Sequence, residues 1–517
     1  MKQLLKNKFI SVLLICAVVA IISYLYINRQ QQEDKRTIVT IAVRQDDNVQ
    51  NFDTNYYTKW LEDQTGYDIR FEYISEGYEK EYLYAMLNSE RGRIDAVFLP
   101  EDESLLTEEE FSNYAGEGLL YDMKECMTED CHFTALLEQY DSISMREKLS
   151  EDGSFYYIPN MDTTRKNRNM QVMWINMGWL KELGLKLPET PEELCTVLLA
   201  FRGSDPNGNG LSDELPLISC ESSYELQSYN FILNAYIYND PLHGRLYVDE
   251  NGNLTSAVTE PAFREGLRVC ANMYAQGLLT EECNHYSKRQ LMELVNSPLD
   301  CVGAFTSQSI ADMIYPNCPD ILARFIQIPP LTGATGEQNA VYCDYEPSVG
   351  GYIPANSAHP REAFEIMDLM LSEEAALVAS FGEENEDWKF SESGDLSTYS
   401  SQAMITTLQY ITDTVQNKHY AGAGPLVLSA EHANGVTWNG NNSLVEYLDA
   451  RAVRSYEGCY YEDRELFTSE ERLTYVQEAI DASEQTDKGI SQFIFGERDI
   501  TSDEEWADFQ NEVNPSE

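Results

Sequence analysis

Lysine and arginine are scarce in this chain: 36 of them stand against 87 aspartates and glutamates in 517 residues, a formal net charge of -51. Nucleic-acid affinity depends on clustered cations against phosphate, so that class of partner is excluded. The six histidines, His132, His243, His285, His359, His419 and His432, show neither metal nor triad spacing. No CxxC pair occurs, which argues against a zinc ribbon or a thioredoxin-type centre. A GxSxG elbow, an HExxH helix, a Walker loop and a GxGxxG after a strand are absent as well. Among so many carboxylates, pairs arise by chance, so an extracellular glycosidase working through two of them has no diagnostic pair here. The acids are interspersed with aliphatic and aromatic residues, which is the pattern of a solvated surface on a folded protein and not of a disordered acidic tail. A chain of this length supports two or more lobes with substantial cores.

Phe9 to Ile27 is an apolar run of nineteen residues preceded by Lys2, Lys6 and Lys8. Its length and basic flank predict a membrane-crossing helix, with the N-terminus inside and nearly all the rest outside. A cleaved secretory signal is the alternative, but no small-x-small cleavage pattern follows before Arg29. A lipoprotein signal is the other, since Leu13-Leu14-Ile15-Cys16 carries the Leu and Cys of a lipobox, with Ile15 where a small residue is required. Ten of the eleven cysteines lie beyond this segment; Cys126 and Cys131 are near enough to close a small loop, with buried free thiols as the equal alternative.

The stretch from Asp205 to Glu214 has the spacing of a calcium loop. With Asp205 at position 1, Asn207, Asn209 and Asp213 fall at positions 3, 5 and 9, Leu211 offers its carbonyl at 7, and Gly210 takes the sharp turn at 6. Position 12, a bidentate Glu in a regular EF-hand, is Pro216; the remaining carboxylate, Glu214, comes two residues early. The following Leu215 to Ser219 reads as extended chain, so the unit is helix, loop, strand. A polar Asn-Gly turn without metal is the plain alternative.

After a polar tether, Gln30 to Arg36, strands and helices alternate: strand Thr37 to Val43, helix Thr54 to Thr65 ending at Gly66, strand Asp68 to Ile74, helix Glu79 to Ser89, strand Ile94 to Leu99. That order predicts a parallel sheet whose ligand is met beyond the carboxyl ends of the strands, in the loops after Val43 and Leu99. A second block has a strand Gln171 to Ile175, a helix Gly178 to Leu183, and a helix with Thr190 as N-cap, Pro191 at its first position and Glu193 closing a capping box.

Several stretches, taken in order, resemble the extracellular solute-binding proteins of ABC importers, in the large oligosaccharide-type branch that includes the alginate-binding proteins. They are Asp152 to Pro159, Trp174 to Leu185, Pro188 to Phe201 with Asp205 to Pro216, Val248 to Gly252, Phe263 to Leu279, Gly351 to Pro354 with Pro360 to Ala363, and Ser372 to Glu374 with Phe381-Gly382. The resemblance covers most of Thr37 to about Trp388. Met177-Gly178 and Glu383-Glu384-Asn385 depart from the family's pattern, as does the degenerate lipobox. The resemblance implies an α/β, periplasmic-binding-protein-like type II fold: two discontinuous lobes with a hinge, behind an N-terminal transmembrane helix. The expected division is a cytoplasmic segment, anchor (9–27) and tether over 1–36, lobe 1 over 37–158 and 331–400, and lobe 2 over 159–330 and 401–517. It implies a non-enzymatic, monomeric protein on the outer face of a Gram-positive-type membrane, which captures a carbohydrate in an interlobe cleft and delivers it to ABC permease subunits. A membrane-tethered sensing or adhesion subunit is the alternative function. Glu101, Asp102, Tyr157, Trp388 and Trp438 lie near crossings and sheet ends, where aromatic faces stack on sugars and carboxylates hold hydroxyls. Structural calcium is expected on Asp205, Asn207, Asn209, Leu211, Asp213 and Glu214. The shortage of cations favours a neutral oligosaccharide.

If the run from Phe9 to Ile27 remains in the mature protein, mass spectrometry of membrane-extracted protein recovers peptides from before Arg36. A chain that begins at a diacylated Cys16 contradicts this reading.

Overall fold

The computed structural model describes residues 36–513 except 47, 75–77, 90–91, 100–107, 140–152, 221–222, 250, 280–284, 316, 343–346, 410–414, 421, 440–442 and 462–472. The expected anchor, 9–27, lies outside the described residues; among these, no helix is long and apolar enough to cross a membrane. The chain forms two compact units. Unit 1 comprises Met1–Met161, Pro347–Asp387 and Ile411–Leu428, and unit 2 comprises Asp162–Glu346, Trp388–Tyr410 and Ser429–Glu517.

Unit 1 is built on a six-stranded sheet of β1 (Ile38–Arg44), β2 (Asp68–Ile74), β3 (Ala96–Phe98), β4 (Tyr157–Met161), β10 (Ser348–Tyr352) and β13 (Leu426–Val427). Its order is β13-β4-β10-β3-β1-β2. β1 pairs in parallel with both β2 and β3, as the alternation of strands and helices predicts. Val39, Ile41, Ala42 and Val43 are all at most 1% exposed, because crossover helices cover both faces of such strands and apolar residues suit both. The helix Tyr56–Thr65 starts two residues later than the periodicity suggests: the Asn55 side chain accepts from Tyr57 N and fixes the first turn, and Gly66 ends it at φ 77°. The sheet as a whole is mixed, which corrects the expectation of a parallel one. β10 runs antiparallel to β3 and β4, and β13 then pairs in parallel with β4.

In unit 2, β5 (Val172–Asn176) is the central strand of an antiparallel trio with β8 (Ala304–Ser307) and β9 (Phe325–Ile328). β6 (Leu246–Val248) and β7 (Leu254–Ser256) form a hairpin, and β11 (Trp388–Phe390), β12 (Ile405–Thr407) and β14 (Val436–Thr437) form another three-stranded sheet. Thr190 caps the helix Pro191–Gly203 by accepting from Glu193 N, with Pro191 in the first turn. The expected capping box is not closed, because Glu193 Oε2 accepts from Glu189 N, one residue earlier. The helix is held to the β5 region by Trp179 and Phe201, whose rings meet edge to face at 5.1 Å, both at most 1% exposed.

The two units divide the chain differently from the expected lobes at four places: 159–161 fall in unit 1, 331–346 and 388–400 in unit 2, and 411–428 in unit 1. Residues 331–346 stay with unit 2, where Thr332 N donates to Glu189 O and Ala340 N to Cys459 O. Residues 411–428 return to unit 1, because Leu426 and Val427 pair with β4. Cys126 and Cys131 are buried free thiols, so the small loop between them is not bridged.

A buried carboxylate fastens the last third of the chain to unit 2. Asp449, 3% exposed on the helix Ser443–Tyr456, accepts from Ser309 Oγ at 2.6 Å and Ile310 N at 3.0 Å, while Lys166 Nζ pairs with Glu446 at 2.8 Å. Burial pushes the Asp449 carboxyl up to about 7, against the pull of Lys166. The folded state therefore holds this proton more tightly than the unfolded chain. Asp449 thus contributes a loss of stability as pH rises from about 4 to about 7, and no further loss above that. Asp449→Asn is expected to flatten that part of the melting-temperature profile relative to the parent, by an amount on the order of a few kcal/mol at most. Two profiles of the same slope over this window contradict the assignment.

Candidate functional site

The helix Pro191–Gly203 ends in Ser204 with extended backbone, and the chain enters the loop from Asp205 to Glu214. The loop is organised by its own short polar side chains. Asp205 accepts from Asn209 N at 3.0 Å and from Gly210 N at 2.9 Å, one through each carboxylate oxygen. Asn207 Oδ1 accepts from Asn209 N at 3.1 Å, and Asn209 Oδ1 from Leu211 N at 2.7 Å. Gly210, at the sharp turn, has φ 78°, a conformation that costs glycine nothing. Leu211 is 58% exposed, so its side chain adds nothing to the loop, and only its backbone is available as a ligand.

Two contacts tie the loop to the body of unit 2. Asn207 Nδ2 donates to the carbonyls of Leu299 and Asp300, at 3.3 Å each. Beyond Glu214 the chain runs extended as expected: Leu215 N donates to Cys301 O, Gly303 N to Leu215 O, and Ile218 N to Ala304 O.

The donor set suits a hard cation such as calcium, all oxygen and half of it carboxylate. Glu214 Oε1 is shielded from solvent and has no hydrogen-bond partner. Burial raises the Glu214 carboxyl above its ordinary range, with Asp213 and Asp205 adding to the effect. An orphaned oxygen among carboxylates that repel one another is what a cation would relieve. Asn209 Nδ2 meets both oxygens of Asp213, at 3.0 and 3.1 Å, so an amide stands as the positive partner of that carboxylate. Among the described residues, no three His, Cys, Asp or Glu side chains converge closely enough to hold a metal ion.

The five residues expected to touch a carbohydrate are placed as follows. Tyr157 opens β4 at 9% exposure, with its ring edge-on to Phe111 at 5.7 Å in the core of unit 1. Trp388 opens β11 at 3% exposure, edge-on to Phe390 at 5.2 Å. Trp438 follows β14 and is half-buried. Trp388 pairs with Thr407 across β11 and β12, and Asn439 donates twice to Thr407, so Trp388 and Trp438 share one end of a small sheet in unit 2. Glu101 and Asp102 lie outside the described residues.

No protein-family model matches the sequence. In sequence, the chain is 31% identical over 136 residues to the fructooligosaccharide ABC transporter substrate-binding protein FusA of Streptococcus pneumoniae, and 28% identical over 110 residues to lipoprotein LipO of Bacillus subtilis. The first match spans 25% of either chain and the second 21%, so the aligned stretches cover about a quarter of these relatives or less. In structure the likeness runs through both chains. An extracellular solute-binding protein from Bifidobacterium longum subsp. infantis aligns with a TM-score of 0.69 at 18% identity, over 93% of this chain and 95% of that one. S. pneumoniae FusA in complex with kestose aligns with a TM-score of 0.67 at 17% identity, over 92% and 95%. The fold is thus the mixed α/β fold of these ABC-transporter substrate-binding proteins. The sequence relative FusA carries that description in its own name. An EF-hand mutant of FusA is among the solved structures of the same fold, at a TM-score of 0.67 and 16% identity.

Proposed function

We propose that this chain is the substrate-binding protein of an ABC importer, capturing a neutral oligosaccharide outside the cell and delivering it to permease subunits. The observation that carries the reading is the joint one: a fold shared along almost the whole chain with a kestose-bound substrate-binding protein, and a sequence match to that same protein. The charge balance supports a neutral ligand, because few cations are available to answer a polyanion. Tyr157, Trp388, Trp438, Glu101 and Asp102 remain the proposed sugar contacts, and of the three described ones Trp438 is the least buried. The run from Phe9 to Ile27 serves as a single-pass anchor that keeps a monomeric ectodomain at the cell surface. The lipoprotein in LipO's name makes acylation at Cys16 the reading against which that anchor is tested.

Calcium is the proposed structural cofactor of unit 2. Asp205, Asn207, Asn209, Asp213 and Glu214 would hold it with the Leu211 carbonyl, joining the end of one helix to the extended segment after the loop. Its contribution there is charge neutralisation and clamping, with no part in binding sugar. Free calcium at 100 times its dissociation constant adds about 2.7 kcal/mol to the folded state, a melting-temperature rise of several degrees. Asp205→Ala is expected to remove that dependence. A parent melting curve unmoved by chelator, together with metal analysis that finds no calcium, contradicts the assignment.

The binding function is checked by melting curves of the purified protein against a panel of neutral oligosaccharides that includes kestose. At least one sugar is expected to raise the melting temperature and to be recovered chemically unchanged. Turnover of a bound glycan would instead make the protein an enzyme.

A further inference from the structure

The return of residues 411–428 to unit 1 places a short stretch of chain where a ligand of this sheet is expected. β1 lies between β2 and β3, so the chain passes from β1 to one side and then crosses to the other. The direction of winding therefore reverses at the carboxyl ends of β1 and β3, and open α/β sheets bind ligands in the crevice outside such a point. The returning stretch spans that reversal. Gln416 bridges Val49 in the loop after β1, with Gln50 N donating to Gln416 O at 2.8 Å and Gln416 N to Asn48 O at 2.9 Å. Eight residues on, Gly424 N donates to Leu99 O at 3.1 Å, at the end of β3.

Two glycines in this stretch play opposite parts. Gly424 is packed tight: at φ 92°, a β-carbon there would stand 2.8 Å from the Phe98 ring. Gly422 is exposed, and a β-carbon there would meet one atom within 4 Å, Asp46 Oδ2 at 3.8 Å. Asp46 lies two residues beyond the end of β1, and its Oδ1 accepts from Asn48 N at 2.7 Å. Oδ2 has no hydrogen-bond partner among the described residues. The carboxylate is thus oriented by one oxygen and presents the other beside a residue that has no side chain to cover it.

We propose that Asp46 Oδ2 is a hydroxyl-accepting ligand contact of unit 1, and that Gly422 keeps the space beside it open for a sugar ring. This rests on the oligosaccharide-binding reading above and assigns it a residue pair that is 376 positions apart in sequence. An ionised carboxylate that accepts from a neutral hydroxyl makes one of the stronger hydrogen bonds available to a sugar site. It also fits a neutral ligand better than an anionic one, which Asp46 would repel.

The test is calorimetric titration of the full chain with kestose and maltotriose as probes, on the parent and on Asp46→Ala, Asp46→Asn and Gly422→Val. Asp46→Ala is expected to weaken binding about tenfold or more, and Asp46→Asn less, since the amide oxygen still accepts. Gly422→Val is expected to weaken it comparably by filling the space, while the melting temperatures without sugar remain near that of the parent. If the parent binds and Asp46→Ala binds equally tightly, the Asp46 assignment is wrong and the oligosaccharide reading stands. If the parent binds neither probe nor any other sugar of the neutral panel, the oligosaccharide reading fails and this inference with it; a panel sugar that binds replaces the probes in the same comparison. Should Asp46→Ala lose its fold, Asp46→Asn and Gly422→Val decide, and unchanged affinity in both overturns the proposal.

Discussion

The hydrogen-bond ladder of the six-stranded sheet in unit 1 is the constraint on which the rest depends. Every interior strand has to pair on both sides, because an unpaired buried backbone group costs as much as a lost hydrogen bond. β1 to β4 come from the first passage of the chain through unit 1; β10 and β13 come from two later returns. The ladder thus dictates that the chain leaves unit 1 and returns to it, and every lobe boundary follows from where those returns occur. The reversal point at β1 and β3 arises within the parallel half itself, because β2 and β3 pair on opposite sides of β1.

Local chemistry makes much of this legible in the residues themselves. β2 follows its apolar pattern to the residue, and the Thr190 cap, the loop from Asp205 and the extended segment after it lie where their residue types require. The features that local pattern does not reveal are set by partners distant in sequence. β13 is two residues long, too short for any periodicity, and exists because β4 needs a neighbour. The capping box at Glu193 fails by one residue because two adjacent amides compete for one carboxylate, and only the folded turn decides between them. Aromatic residues carry the least information. Tyr157 and Trp388 have ring partners within their own units, a fate open to any of the 33 tyrosines and 6 tryptophans.

Unit 2 shows how a strongly acidic chain accommodates its own charge. Carboxylates are spent on caps, on turns and on rare cations: Asp449 on Ser309 and Ile310, Asp205 on the amides of its loop, Glu446 on Lys166. The loop around Glu214 is where this arrangement is incomplete, with a shielded oxygen left unpartnered beside two further acids. The calcium proposed for this loop would resolve that local conflict without touching the sugar, which would separate what holds unit 2 together from what the protein recognises. In the proposed reading, recognition falls instead to groups that suit a neutral ligand, namely aromatic faces and oriented carboxylates.

The central claim, that this fold serves to bind a neutral oligosaccharide and not to transform it, is tested most directly by equilibrium titration of the purified protein. Neutral and uronic-acid oligosaccharides of matched length would be compared in saturating calcium. The account predicts saturable binding of a neutral sugar at one site per chain, weaker or absent binding of its acidic counterpart, and full recovery of the sugar unaltered. Preference for the acidic series, or release of shorter sugars during the titration, would contradict it.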